Sequence, residues 1–141
     1  MITSQDCLRE FGDPNKEKEM VLYDVPLLLE IGVIPKRIYC SKLLVKPLEK
    51  AFEYLIMSDC VRELKTWDGC FNIRAKKCSK SWSLHAWGLA VDVNAAWNGY
   101  GKKPVLSQDF VNCFVKNGFD WGGEWKVPDG MHFQLRSLNS F

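Results

Sequence analysis

Two short segments hold the side chains of this chain that are best suited to metal chemistry. The chain has two histidines, and each has an acid nearby: Asp92 follows His85, and Asp129 precedes His132. Two imidazoles and a carboxylate can bind zinc as three ligands, which leaves a fourth position for water, as in catalytic sites. We therefore predict that His85, Asp92 and His132 bind Zn²⁺. Asp129 is predicted to act as the general base in a metal-assisted hydrolysis.

Three more residues are candidates for substrate contacts. Arg74 can clamp a substrate carboxylate or steady an oxyanion, because guanidinium binds carboxylates through two hydrogen bonds; an ordinary salt bridge explains it equally well. Ser83 can contact substrate, although capping of its own loop is the favoured interpretation. Trp87 is also predicted to contact substrate. It is one of four tryptophans near the predicted ligands, and together they can form the wall of a groove. Tryptophans more commonly pack in the core or at its rim, which is the favoured interpretation. The four are Trp82, Trp87, Trp121 and Trp125.

The predicted ligands Asp92 and His132 lie in segments with strand-like alternation. In residues 89–94 the apolar side chains of Leu89, Val91 and Val93 alternate with Ala90, Asp92 and Asn94. In residues 131–135 the same period separates Met131, Phe133 and Leu135 from His132 and Gln134. Because alternate side chains of a strand point to opposite faces, each predicted ligand projects away from the apolar side. If the two strands are neighbours, Asp92 and His132 converge on one point.

Helices and loops are predicted from apolar spacing, prolines and caps. A short helix is expected from Pro26 to Gly32, followed by an extended segment at 37–40. A longer helix should begin near Pro47, and Ser107 should cap a helix over 108–116. Residues 76–80 are polar and are expected to form a loop. The helix after Pro47 has a one-sided apolar stripe made by Leu48, Phe52, Leu55 and Ile56.

Composition places the chain among globular domains. Its 141 residues suit one domain, 47% of them are apolar, and the net charge of +2 gives no basic stripe for nucleic acid. The charged segment 1–19 shows no signal peptide, and no apolar run is long enough for membrane insertion. We therefore expect a product made in the cytoplasm. The six cysteines form no C-x-x-C pair, so free thiols in a reducing compartment are expected.

The two metal-binding segments together resemble the signature of the M15 zinc peptidases. The first segment matches S-x-H-x-x-G-x-A-x-D at Ser83, His85, Gly88, Ala90 and Asp92. The second matches [ED]-x-x-H at Asp129 and His132, and the resemblance extends to 71–74 and 118–125 and covers roughly residues 35–136. Where the family usually has Gly-Ser in the loop before Ser83, this chain has Lys77-Cys78-Ser79. The resemblance therefore does not predict the shape of this loop or its substrate contacts, whereas it does predict the metal site.

The resemblance implies a fold and a set of residue roles. The expected fold is α+β: one small domain over residues 1–141, with a central antiparallel sheet flanked by helices, as in the Hedgehog and DD-peptidase type. The family's ligands fall on His85, Asp92 and His132, and its base falls on Asp129.

The resemblance also implies a substrate, which is bacterial peptidoglycan. Aspartate as the base is typical of the phage lysis enzymes, which cut the L-alanyl-D-glutamate bond of the stem peptide, whereas dipeptidases use glutamate. Such an enzyme is a monomer that waits in the host cytoplasm and reaches the wall through a holin-type release partner. Three alternatives remain open: a D-alanyl-D-alanine carboxypeptidase or dipeptidase, a non-catalytic zinc-containing wall-binding module, and a structural phage protein.

Overall fold

The computed structural model describes residues 1–76 and 79–139, and within them it has an α+β architecture. Six strands form a two-stranded and a four-stranded antiparallel sheet. The helices are α1 (Ser4–Phe11), α2 (Val45–Met57) and α3 (Gln108–Val115). The strands are β1 (Met20–Asp24), β2 (Arg37–Ser41), β3 (Trp67–Gly69), β4 (Ala90–Val93), β5 (Phe119–Trp121) and β6 (His132–Leu135). The predicted fold class is confirmed, while the predicted domain bounds stay a prediction.

The four-stranded sheet places the two motif strands side by side. Its order is β3-β4-β6-β5, and β4 runs antiparallel to β6 with Asp92 opposite His132. The prediction that these strands are neighbours is therefore confirmed. The two side chains project from the same face of the sheet, because residues directly opposite each other in a sheet share a face.

The other face of this sheet forms part of the core. Phe133, which follows His132, stacks on Phe114 of α3 with ring centroids 4.3 Å apart. Phe110 and Phe119 add edge and tilted contacts to the same cluster. All four rings are fully buried. The apolar alternation along β6 therefore anchors the strand under α3 and directs His132 to the opposite side.

The two longer predicted helices are confirmed, with small differences at their ends. Helix α2 begins at Val45, slightly before Pro47, and its predicted stripe faces the core. Ser107 caps α3 as expected, since its hydroxyl accepts a hydrogen bond from the Phe110 amide. Within the described residues, no helix combines the length and apolar character needed to cross a bilayer.

The predicted helix from Pro26 to Gly32 is wrong. The segment forms a single 3₁₀ turn over Leu27–Leu29, and Leu27 and Leu28 are more than four-fifths exposed. A short helix is stable mainly when it buries an apolar face. Here neighbouring leucines point to solvent, so the turn does not propagate.

Helix α1 was not predicted, although it supports the turn that carries His85. Thr3 caps it, and Thr3 and Asp6 form a reciprocal capping box. The Ser4 hydroxyl donates to the Trp82 carbonyl at 2.6 Å, and the Trp87 indole donates to the Gly12 carbonyl at 2.9 Å. Two hydrogen bonds between residues distant in sequence thus tie α1 to the segment around His85.

Gly88 lies where the two sheets meet. Its carbonyl accepts a hydrogen bond from the Ser41 amide at 3.0 Å, and its φ is +66°. A Cβ at this position would lie 2.6 Å from the Ser41 nitrogen. Glycine is needed here both for the backbone conformation and for the close approach of strand β2.

Gly88→Ala is expected to lower the free energy of unfolding by about 3 kcal/mol. The strain of a left-handed backbone and the steric overlap of the new Cβ with the Ser41 backbone each contribute about 1–2 kcal/mol. Gly32→Ala is the matched control, because Gly32 has φ +61° but no atom within 4 Å of the place where a Cβ would lie. It should cost about 1 kcal/mol, from strain alone. Urea unfolding of both variants measures the difference; equal losses would contradict the close approach at Gly88.

The cysteines of the described residues are free thiols, as predicted. Cys7, Cys40, Cys60, Cys70 and Cys113 are all buried and unbridged, while Cys78 lies outside the described residues. Burial raises the pKa of Cys40 to about 12, and burial with the nearby Asp6 carboxylate raises the pKa of Cys7 to about 12 against an opposing effect of Lys76. These thiols stay protonated at neutral pH.

Alkylation should therefore distinguish the folded from the unfolded chain. Because only the thiolate reacts, Cys7 and Cys40 should resist iodoacetamide at pH 8.5 in the native protein and react in denaturant. Peptide mass spectrometry after labelling identifies the modified positions. Rapid native labelling of Cys7 or Cys40 would show that burial does not protect them.

Candidate metal centre

Three buried polar side chains meet on the polar side of the four-stranded sheet. His85 lies in a 3₁₀ turn (Leu84–Trp87), Asp92 in β4 and His132 in β6. Each is less than one-tenth exposed. One ligand atom from each lies within 4.8 Å of the other two. The structure thus brings together the three predicted metal ligands, which are up to 47 positions apart in the sequence.

Their spacing fits a small cation. Nε2 of His85 lies 3.1 Å and Nδ1 of His132 lies 3.4 Å from Oδ1 of Asp92. Ligands about 2.0–2.1 Å from a tetrahedral zinc ion are separated by about 3.3 Å. His85 Nε2 and Asp92 Oδ1 are sealed from solvent and have no hydrogen-bond partner among the described residues. Since buried polar atoms usually have a partner, a cation between these atoms suits the site.

The outward nitrogens of both imidazoles have hydrogen-bond acceptors. Nδ1 of His85 lies 2.6 Å from the Cys70 carbonyl, and Nε2 of His132 lies 2.9 Å from Oε1 of Gln134. A carbonyl oxygen only accepts, so each outward nitrogen carries the proton and donates it. Each inward nitrogen then presents a lone pair to the centre, as a metal ligand must.

The centre carries a stabilised negative charge at Asp92. Nη2 of Arg74 lies 3.3 Å from Oδ2 of Asp92. The salt-bridge interpretation of Arg74 is therefore confirmed. Arg74 also lines the adjoining cavity, and its predicted catalytic role stays a prediction.

Backbone hydrogen bonds hold the turn that carries His85. The Ser83 hydroxyl accepts from the His85 amide at 3.3 Å, and the Ser83 amide donates to the Arg74 carbonyl at 2.9 Å. The Asn72 amide donates to the His85 carbonyl at 3.0 Å. Ser83 thus caps its loop, as favoured from the sequence. It also lines the cavity, so its predicted substrate contact stays open.

Asp129 is held in the turn before β6. Its amide donates to the Gly122 carbonyl at 2.9 Å, and its carbonyl accepts from the His132 amide at 3.0 Å. The carbonyl of the preceding residue, Pro128, accepts from the Gly101 amide at 2.7 Å. Asp129 lines the same cavity as Asp92 and His132. Asp129 therefore shares a cavity with two of the predicted ligands, and its predicted role as general base stays a prediction.

A cavity of about 290 Å³ opens over the centre. It has cationic, acidic and apolar side chains, which suits a polar substrate with apolar groups. The lining residues that the sequence did not single out for the site are Met1, Ile2, Lys76, Leu84, Tyr100, Val127, Met131 and Gln134. Among these residues, only Gln134 had a sequence signal for a position near the site, because the strand alternation puts it on the same face as His132.

Of the four tryptophans near the predicted ligands, Trp125 lines the cavity. Its ring centroid lies 5.2 Å from that of His132. Trp87 is buried and donates to Gly12, and it is not among the cavity-lining residues. Trp121 stacks on Phe133 and donates to the Gly130 carbonyl. The structure therefore brings Trp125, rather than Trp87, to the centre. The loop in which this chain differs from the family pattern, Lys77-Cys78-Ser79, lies mostly outside the described residues.

Comparisons with known proteins agree with the motif resemblance. Residues 77–135 match the model of an M15 peptidase family described as D-alanyl-D-alanine carboxypeptidase. This stretch contains both motifs, and the predicted resemblance to the M15 peptidases is confirmed. The match supports a hydrolase of the peptidase class.

One solved structure is also similar to the chain. It is the L-Ala D-Glu endopeptidase ChiX of Serratia marcescens, at 22% identity and a TM-score of 0.44, over 65% of this chain and 77% of that one. No curated protein matches the chain.

Zinc is expected to stabilise the protein through this centre. At a free concentration about 100 times its Kd, a ligand that binds only the folded state adds about 2.7 kcal/mol. Zinc should therefore raise the melting temperature of the wild type, and Asp92→Asn should remove most of that rise by removing a ligand charge. Asp59→Asn, at an exposed position with φ +63°, is the control and should respond like the wild type. An equal rise in Asp92→Asn would contradict the assignment.

Proposed function

Starting from the M15 family match over residues 77–135, we propose that this chain is a zinc-dependent peptidase that cuts stem peptides of bacterial peptidoglycan. The bond we propose is L-alanyl-D-glutamate, as in endolysin-type enzymes. The observation that carries the proposal is the convergence of His85, Asp92 and His132 at the edge of a cavity that Asp129 also lines.

The number of ligands favours catalysis over a structural role for the metal. The metal-binding cluster found among the described residues has three members, His85, Asp92 and His132. Structural zinc sites are usually closed by four protein ligands, whereas catalytic sites use three. This argues against a non-catalytic zinc-containing wall-binding module. It also argues against a purely structural protein, which needs no such buried set.

The residues around the centre have separate proposed tasks. When bound, zinc acts as a Lewis acid toward a carbonyl and lowers the pKa of a coordinated water. Asp129 accepts a proton from the attacking water and delivers it to the leaving amine. Arg74 holds Asp92 and binds a substrate carboxylate or the developing oxyanion. Ser83 contacts the substrate from the capped loop.

Two cationic side chains of the cavity can pair with an anionic substrate, while its two acids, Asp92 and Asp129, have the proposed roles of metal ligand and base. Arg74 and Lys76 both line the cavity, and a stem peptide carries carboxylates that can pair with these cations. Aspartate at position 129 favours the endopeptidase. The description of the matched family favours a D-alanyl-D-alanine carboxypeptidase instead, and this is the second candidate. Both reactions use the same centre but release different fragments.

We further propose where and with what the enzyme acts. It is made in the host cytoplasm as a monomer and reaches the wall after a holin-type partner permeabilises the membrane. Peptidoglycan is its substrate, and it has no nucleic-acid partner. The net charge of +2 is consistent with the last point, because nucleic-acid binding usually requires a basic stripe.

Digestion of purified sacculi tests the function. The zinc-loaded protein should release fragments whose masses show cleavage between L-alanine and D-glutamate, and a chelator should stop the release until zinc is restored. Free D-alanine would instead identify the carboxypeptidase. Intact sacculi after incubation with zinc-loaded, folded protein would refute both.

Asp129→Asn should lower the rate of cleavage by about 10²–10⁴-fold, which is the usual contribution of a general acid–base group. Zinc affinity should not change, because Asp129 is not in the ligand set. The control is Asp24→Asn, whose side chain is 81% exposed in a surface ion pair with Arg37. Initial rates on sacculi, together with a zinc titration, measure both quantities. Full turnover in Asp129→Asn would mean that another group is the base.

A further inference from the structure

We propose that Gln134 is a positioning residue that sets the tautomer of His132 and so makes it a competent metal ligand. The proposal rests on the zinc site proposed above. It is carried by one contact: Nε2 of His132 lies 2.9 Å from Oε1 of Gln134. Both side chains are about 95% buried, so water does not compete for this hydrogen bond.

The strand geometry places Gln134 for this contact. His132 and Gln134 are two residues apart on β6, so their side chains share a face of the sheet. Directly opposite Gln134 on β4 is Ala90. The small side chain of Ala90 leaves space on this face, and Gln134 fills part of it next to the cavity.

The tautomer matters because two acceptors compete for one imidazole proton. Neutral histidine has a single N–H. Nδ1 of His132 lies 3.4 Å from Oδ1 of Asp92, and a proton on Nδ1 would be drawn to that carboxylate. A protonated Nδ1 cannot bind a cation. By accepting from Nε2, Gln134 keeps the proton on the outer nitrogen and leaves the lone pair of Nδ1 facing the centre.

The second ligand histidine shows the same arrangement with a different acceptor. Nδ1 of His85 lies 2.6 Å from the backbone carbonyl of Cys70. A side-chain substitution does not remove a backbone acceptor. Gln134 is therefore the contact through which the tautomer of a ligand can be changed by mutation.

Zinc affinity gives the first test. Gln134→Leu keeps the approximate volume but removes the acceptor, and it should weaken zinc binding by about 10–100-fold, as is typical when such a partner of a ligand is lost. Gln134→Glu keeps an acceptor and should bind zinc at least as tightly as the wild type. Gln108→Leu, at the exposed start of α3, is the matched control and should not change the affinity. Competition with a chromophoric chelator measures all four proteins.

Imidazole ¹⁵N NMR of the metal-free protein gives a readout that a purely structural role would not move. His132 should show the Nε2–H tautomer in the wild type and in Gln134→Glu, and the Nδ1–H tautomer in Gln134→Leu. An Nδ1–H tautomer in the wild type, or unchanged zinc affinity in Gln134→Leu, would overturn the proposal. If Gln134→Leu does not fold, weaker zinc binding by Gln134→Glu than by the wild type would overturn it.

These measurements separate the role of Gln134 from the proposed function. If the wild type binds no zinc, both proposals fail. If the wild type binds zinc and Gln134→Leu binds it equally well, only the role of Gln134 fails. If zinc binding depends on Gln134 but the wild type leaves sacculi intact, the role of Gln134 is supported and the peptidase function is refuted.

Discussion

The antiparallel register between β4 and β6 is the constraint on which the rest of the structure depends. It sets Asp92 opposite His132 on one face and Val91 opposite Phe133 on the other. A slip of one residue in one strand would exchange its faces and move its site residues into the aromatic core. The packing of Phe133 under α3 therefore does more than stabilise the sheet. It holds the strands in the pairing that brings two of the three candidate ligands together.

The candidate centre concentrates polar groups in a buried place, which is unfavourable unless each group has a partner. Arg74 lies against the outer oxygen of Asp92, and the Cys70 carbonyl and Gln134 accept from the outer nitrogens of the two histidines. The atoms left facing one another are the inward nitrogens and Oδ1 of Asp92. The surrounding residues thus provide partners for the outer polar atoms of the cluster, and the inner atoms remain available to bind a cation. His85 is not part of the sheet, and it depends on the Ser83 cap and on hydrogen bonds to the segment before it.

Much of the site-bearing half of the fold could be predicted, because its signals are local. Alternation placed the strands around Asp92 and His132, and the cap at Ser107 placed α3. The helix expected at Pro26 failed because Leu27 and Leu28 have no core to face, which a spacing rule does not reveal. Helix α1 was missed because its capping box uses Asp6 where glutamate or glutamine is the usual signal. Trp87 was placed near substrate by its closeness to His85 in sequence, but its indole turns toward Gly12.

The sequence by itself determined which residues can bind the metal and which face of each strand they occupy, because the strand period of two is a local property. It also carried the resemblance to the M15 peptidases, through two motifs whose spacing is specific. Only the tertiary structure decided which partners those residues have. Arg74 reaches Asp92, α1 supports the turn of His85, and Gln134 occupies the space opposite Ala90. Those contacts join elements that are distant along the chain, so they depend on how the elements pack rather than on any local pattern.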